Sequence, residues 1–163
     1  MRGLARFYLL ETEPHFRLYM TPLNIDPDKP ALPISHPFTY AIYLAKTQGP
    51  YATLGLAEDT NALKSGIIDE EAFLEQTYDI HEEREKMLFD AIEKTRRGCV
   101  TCVFDITDRI QHMFYRYLDS DHPANRGRDT TKHKDAIRDL YRKMDDLVGR
   151  VRAKLDRDTV LMV

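Results

Sequence analysis

Residues 99–113, CVTCVFDITDRIQHM, decide the fold that this sequence predicts. Their first part, 99–106, is a continuous apolar run of the kind found in central parallel strands covered on both faces. Residues 158–163, DTVLMV, form a second strand-like run, and a strong helical pattern over 131–156 precedes it. Strand, helix, helix, strand is a crossover order, so the two strands are predicted to be parallel neighbours in an α/β sheet.

The beginning of the chain predicts a different, antiparallel arrangement. Residues 4–11 and 15–21 are rich in aromatic and branched side chains, and a short segment containing Pro14 separates them. This pattern is typical of a β-hairpin. Five prolines then fall between positions 22 and 37, where each removes a backbone donor, so an extended loop is predicted there.

Two helices are predicted between this loop and the central strand. Residues 38–48 have apolar side chains at helical spacing and end at a Gly-Pro pair. Residues 69–97 begin with acidic and end with basic side chains, which suits a helix dipole. The chain is therefore predicted to be a single domain. Its 1–97 part contains the hairpin, Pro-rich loop and helical insertion, and its 98–163 part contains the strand–helix–helix–strand core.

Composition excludes several classes of function. With 163 residues, 42% hydrophobic and 31% charged, the chain has the profile of one soluble globular domain. Its 24 basic and 27 acidic residues give a net charge of −3, which argues against binding to a nucleic-acid backbone. No apolar run approaches the ~20 residues needed to cross a bilayer. Neither nucleic acid nor a membrane is therefore expected as a partner.

Three weaker patterns predict structural roles. Cys99 and Cys102 have CxxC spacing, but inside a strand they would face opposite sides, so they are interpreted as two buried free thiols. Reduced thiols and the lack of a targeting segment favour a cytoplasmic location. Residues 81–85, HEERE, resemble the start of a zinc motif but end in Glu85, and an exposed charged helix face is predicted. The acidic pair at 58–59 predicts a helix cap.

Asp108 and His112 are the candidate metal ligands. If a helix begins near Asp108, their i,i+4 spacing places carboxylate and imidazole on one face. Both would follow the carboxyl end of a parallel strand, which is where open α/β sheets bind ligands. Oxygen and nitrogen donors of this kind suit a zinc-like ion. The alternative is structural, with the aspartate favouring the helix dipole and the histidine packed against Phe114 and Tyr115.

Several segments together resemble bacterial members of the type I phosphodiesterase/nucleotide pyrophosphatase family, in the alkaline phosphatase superfamily. The resemblance is most specific at Asp108-Arg-Ile-Gln-His112. The segments that carry it are 103–118 (VFDITDRIQHMFYRYL), His122-Pro123, 141–145 (YRKMD) with Gly149, and 158–163, together with the insertion-like segments 36–40 (HPFTY) and 53–60 (TLGLAEDT).

This resemblance implies a fold, an activity and a site. The fold would be part of an alkaline-phosphatase-like three-layer sandwich with parallel core strands, to which this chain adds an N-terminal β-hairpin. The chain would be an internal fragment of a metal-dependent hydrolase of phosphate esters, inactive alone. Asp108 and His112 would supply two ligands to one metal of a two-metal site, usually zinc in this superfamily, where a Ser or Thr nucleophile attacks phosphorus in line.

The chain also departs from the family pattern. It contains neither the family's nucleophile segment nor its Asp-His-Gly motif, which the resemblance would place shortly after Val163. Gln111 stands where many nucleotide pyrophosphatases have glycine, which leaves the substrate open. A sulfatase or phosphomutase relative is one alternative. A non-catalytic α/β binding or interaction module, in which Asp108 and His112 are structural, is the other. Metal identity and oligomeric state stay open at this point.

Overall fold

A computed structural model describes residues 2–127 and 129–163 and shows a mixture of helices and short strands. The elements fall into two compact units, one reaching to Met87 and one starting at Leu88. None of the described helices is both long and apolar enough to cross a membrane. The strands are β1 (Gly3–Leu4), β2 (Phe7–Glu11), β3 (Arg17–Met20) and β4 (Asn24–Ile25). The α-helices are α1 (Phe38–Gln48), α2 (Thr60–Lys64), α3 (Glu70–Lys94), α4 (Ile106–Phe114) and α5 (Ala136–Lys154).

The predicted N-terminal hairpin is confirmed as the pair β2–β3. The strands are antiparallel, with Tyr8 opposite Tyr19 and Leu9 opposite Leu18, and the register shifts between Leu9 and Glu11. Side chains alternate between the two faces of a strand, so the two tyrosines share one face and the two leucines share the other. The strands β1 and β4 form a second, two-stranded antiparallel sheet, which places a short regular element inside the Pro-rich loop.

The helices of the first unit follow the sequence closely. Helix α1 has the predicted limits, Phe38–Gln48. Asp59 caps α2 by accepting a hydrogen bond from the backbone N–H of Ala62, as its acidic character predicts. Helix α3 is shorter than predicted and begins after Asp69, whose carboxylate accepts from the N–H of Ala72. The apolar core of this unit contains Tyr19, Ala41, Leu44, Ala52, Ala62, Ile68, Phe73 and Ile80.

The second unit is organised around the packing of α4 on α5. Helix α5 is shorter than the predicted 131–156, but its predicted apolar stripe is largely confirmed, since Leu140, Leu147 and Val151 are buried. Asp146 and Arg150, one turn apart in α5, form an ion pair at 2.7 Å. Burial of the apolar stripe holds such a helix in place, while the charged face stays in water.

The structure differs from the prediction at the two apolar runs of the second unit. Residues 99–104 and 158–163 are in no strand, and both sheets of the described residues are antiparallel. An apolar run becomes a strand only when neighbouring strands satisfy its backbone N–H and C=O groups. In the described residues neither run has such a neighbour, and the side chains of Val103, Val160 and Met162 are exposed.

The structure corrects the prediction that Cys99 and Cys102 are buried thiols. Neither forms a disulfide bond, but Cys99 is exposed and Cys102 is only partly buried. Their expected burial depended on a strand covered on both faces, and residues 99–104 form no such strand. The predicted burial of the thiols thus depended on the predicted sheet and not on the cysteine residues themselves.

Candidate metal site

Helix α4 presents Asp108 and His112 on its outer face. Ile106, Ile110 and Phe114 recur at four-residue spacing and are buried, so they fix the orientation of the helix. Asp108 lies two residues after Ile106 and therefore on the opposite side of the helix, as does His112 one turn later. Their side chains are 52% and 74% exposed, respectively. The helix thus holds both groups at the surface of the unit.

The two side chains meet as the i,i+4 spacing predicts. Asp108 Oδ1 and His112 Nε2 are 3.2 Å apart. With metal–ligand bonds of 2.0–2.2 Å, two ligands of one tetrahedral zinc ion lie about 3.4 Å apart, so this separation fits a shared metal. The pair therefore fits the ligand arrangement that the resemblance implies.

Polar and aromatic side chains surround this pair. Arg109 Nε lies 3.7 Å from Asp108 Oδ2, within ion-pair distance but outside hydrogen-bond distance. Next to His112, the Gln111 amide donates to the carbonyl of Thr107 at 2.9 Å and accepts from the hydroxyl of Tyr141 at 3.3 Å. Gln111 therefore links α4 to α5 beside the candidate site.

Other histidines of the second unit have structural positions. His133 lies edge-on to the rings of Phe114 and Tyr117, at centroid distances of 5.7 and 5.5 Å. It occupies the kind of aromatic setting that the structural alternative assigned to His112. His122 accepts a hydrogen bond from the N–H of Ala124 and begins a short 3-10 helix. Within residues 2–127 and 129–163, no group of three or more His, Cys, Asp or Glu side chains is placed to hold a metal.

The structure corrects the prediction for residues 81–85, because His81 and Glu85 are buried and not exposed. The side chain of His81 is 0% exposed, and its Nε2 lies 2.8 Å from Glu85 Oε1. Both residues share a helix face with Phe73 and Ile80, which are also buried. The apolar residues at helical spacing could have revealed this, but the many charges in the segment concealed the pattern. This pair has the same i,i+4 geometry as Asp108–His112 in the opposite environment.

A polar network lies beside that buried pair in the first unit. The Tyr19 hydroxyl donates to Asp59 Oδ2 at 2.6 Å, and the Asp59 N–H donates to the side-chain oxygen of Gln76 at 2.6 Å. Burial and the nearby Asp59 carboxylate raise the pKa of Tyr19. The network connects the hairpin to α2 and α3, so its buried polar groups serve to hold the fold.

A second polar contact of this unit involves Glu83. Its carboxylate pairs with the guanidinium of Arg6 and accepts from the N–H of Ala52 at 2.9 Å. Burial nevertheless raises the pKa of Glu83, since the cost of removing the charge from water outweighs the effect of these partners. Glu83, in α3, therefore connects the segment before β2 with the segment after α1.

No protein-family model, curated protein or solved structure matches the chain. The function must therefore be argued from the residues and their geometry.

Proposed function

We propose that the chain is an internal part of a metal-dependent hydrolase of phosphate esters, of the phosphodiesterase and nucleotide pyrophosphatase type. Asp108 and His112 supply two ligands to one of two divalent metal ions, zinc in the first instance. The substrate is a small phosphate ester, and the enzyme works in the cytoplasm. The chain by itself is inactive, because the nucleophile is outside it.

The observation that carries this proposal is the 3.2 Å separation of Asp108 Oδ1 and His112 Nε2 on an exposed helix face. A histidine that served packing would be expected on the buried face, as His81 is. An exposed pair of this kind contributes little to folding, because i,i+4 ion pairs at a surface are worth only about 0.3–0.5 kcal/mol. A role in binding explains the exposed arrangement better than a role in stability.

In the proposed enzyme, further strands pair with the two apolar runs of the second unit. Residues 99–104 and 158–163 become parallel core strands of a three-layer sandwich once neighbouring strands pair with them. Helix α4 then starts at the carboxyl end of the first strand, which is where ligands bind in open α/β sheets. The exposed Val103 and Val160 support this, since both lie in strand-like runs without a covering layer.

The chain's own residues would bind and orient the metal. The Asp108 carboxylate supplies an anionic oxygen and His112 a neutral imidazole nitrogen, a donor set that zinc accepts. Arg109 Nε lies 3.7 Å from Asp108 Oδ2, which leaves Oδ1 as the carboxylate oxygen that faces His112. When bound, a divalent metal pair stabilises the charge that develops on the attacking and leaving oxygens of a phosphate ester.

Paramagnetic NMR of the 163-residue chain tests this assignment. Mn²⁺ is expected to broaden the imidazole signals of His112 at lower concentration than those of His15, because His112, unlike His15, is exposed on a helix with a carboxylate one turn away. Asp108→Asn should abolish this preference. Asp139→Asn is the matched control, since Asp139 is also an exposed helical aspartate but pairs with Arg142 at 3.2 Å.

The opposite results would remove the proposal. Equal broadening of all histidines, or unchanged broadening of His112 in Asp108→Asn, would show that the pair does not bind a metal. Zinc is expected to shift the same imidazole signals that Mn²⁺ broadens. If neither metal acts at α4, the chain is better described as a non-catalytic α/β module.

A further inference from the structure

The hairpin carries an exposed apolar surface, which we call the hairpin face. The register places Phe7 opposite Met20 and Leu9 opposite Leu18. Phe16 continues the alternation of β3 on the same side. Each of these side chains is at least half exposed, with values from 50% to 70%. The hairpin face therefore presents apolar groups only, without a charged residue among them.

The other side of the hairpin is already covered. Tyr19 is buried, and its hydroxyl bonds to Asp59 at the start of α2. The charged Glu11 and Arg17 also belong to that side, because the bulge places them opposite each other and the Arg17 guanidinium donates to the carbonyl of Ile67 at 3.4 Å. An antiparallel sheet with one solvated face normally has polar side chains on that face. The hairpin face departs from this rule, and an exposed apolar patch of this kind is typical of an interaction surface.

We propose that the hairpin face binds the hairpin face of a second copy of this chain. A twofold axis parallel to the strands places β2 of one copy over β3 of the other. Phe7 then faces Met20 of the second copy, and Leu9 faces Leu18 of the second copy. Two sheets packed in this aligned manner lie about 10 Å apart, with interdigitating side chains. The face is self-complementary because each large side chain meets a medium-sized apolar one.

The available area agrees with a weak dimer. Five side chains of this size, each half to two-thirds exposed, leave roughly 500–600 Å² of apolar surface on one copy, as much as the largest patch of an ordinary monomer. The two copies together would bury about 1,000–1,200 Å², the lower limit for a specific protein interface. A net charge of −3 is small enough not to oppose association.

Sedimentation velocity of the 163-residue chain over a hundredfold range of concentration tests the dimer. The informative variant is Leu9→Glu/Leu18→Lys, which makes the hairpin face polar and replaces one cross-strand pair by an opposite-charge pair. Such a pair stabilises antiparallel pairing, so the hairpin is expected to remain folded. Leu32→Glu is the matched control, because Leu32 is an exposed leucine in the Pro-rich loop.

The expected result is a concentration-dependent dimer for the wild type and for Leu32→Glu, with the dimer dissociation constant raised at least tenfold in the double variant. Circular dichroism should show unchanged secondary structure. The proposal is overturned by a monomer at every concentration, by equal loss of the dimer in Leu32→Glu, or by polydisperse species larger than a dimer. Binding of a monomer to phosphatidylcholine vesicles would identify a lipid surface as the occupant and would also overturn it.

Discussion

The two carboxylate–histidine pairs of this chain allow a direct test of which histidine serves function. Asp108–His112 and His81–Glu85 both have i,i+4 spacing on a helix, at 3.2 and 2.8 Å. The first pair is exposed and the second is buried. His112→Ala and His81→Ala are therefore matched substitutions in opposite surroundings.

The structure gives an expected magnitude for each substitution. His112→Ala loses an exposed pair worth about 0.3–0.5 kcal/mol, and alanine regains a similar amount through its higher helix propensity. The midpoint of thermal unfolding should therefore stay within about 2 °C. His81→Ala opens a cavity and removes the group that faces the buried Glu85, which is expected to cost about 3 kcal/mol. That corresponds to roughly 6–12 °C for a chain of this size.

Differential scanning calorimetry and Mn²⁺ broadening, measured on the same samples, provide the assay. His112→Ala should lose metal binding at α4 and keep its unfolding temperature, while His81→Ala should keep metal binding at temperatures where it is folded. The reasoning is refuted if His112→Ala unfolds several degrees earlier and metal binding at α4 persists. In that case His112 is a structural residue, and the metal assignment is wrong.

Three further predictions concern activity and stability. The purified chain should hydrolyse no bis(p-nitrophenyl) phosphate with zinc or manganese above a mock preparation, because phosphoryl transfer needs the nucleophile and both metals together; measurable turnover would contradict this. Tyr19→Phe removes a hydrogen bond to the Asp59 carboxylate and should cost about 1.5–3 kcal/mol in urea unfolding. Tyr8→Phe is its control and should cost close to nothing, since the Tyr8 hydroxyl has no hydrogen-bond partner among the described residues; equal losses would refute the assignment. Burial raises the pKa of Glu83, so the folded state keeps a proton that the unfolded state has released. The free energy of unfolding should therefore fall as pH rises from the ordinary glutamate pKa through the raised one, and Glu83→Gln should flatten that fall; an unchanged pH profile would count against it.

Local patterns in the sequence determined those features that depend only on residues close together in the chain. The apolar spacing and the Gly-Pro stop gave α1 its observed limits, Phe38–Gln48. The acidic Asp59 caps α2 as predicted, because an N-cap requires only a side-chain oxygen and the next few N–H groups. The i,i+4 spacing likewise brought Asp108 and His112 together. All these features depend on contacts within one or two helical turns.

Tertiary structure decided which side chains are buried and which strands are paired. The charged character of residues 81–85 predicted an exposed face, but His81 and Glu85 lie on the same helix face as the buried Phe73. The apolar run 99–106 predicted a strand, yet residues 99–104 are assigned to no strand. A strand needs hydrogen-bonding neighbours that are distant in sequence, and burial depends on what packs against a face. A linear pattern specifies local geometry, whereas these outcomes depend on contacts that form only when the chain is folded.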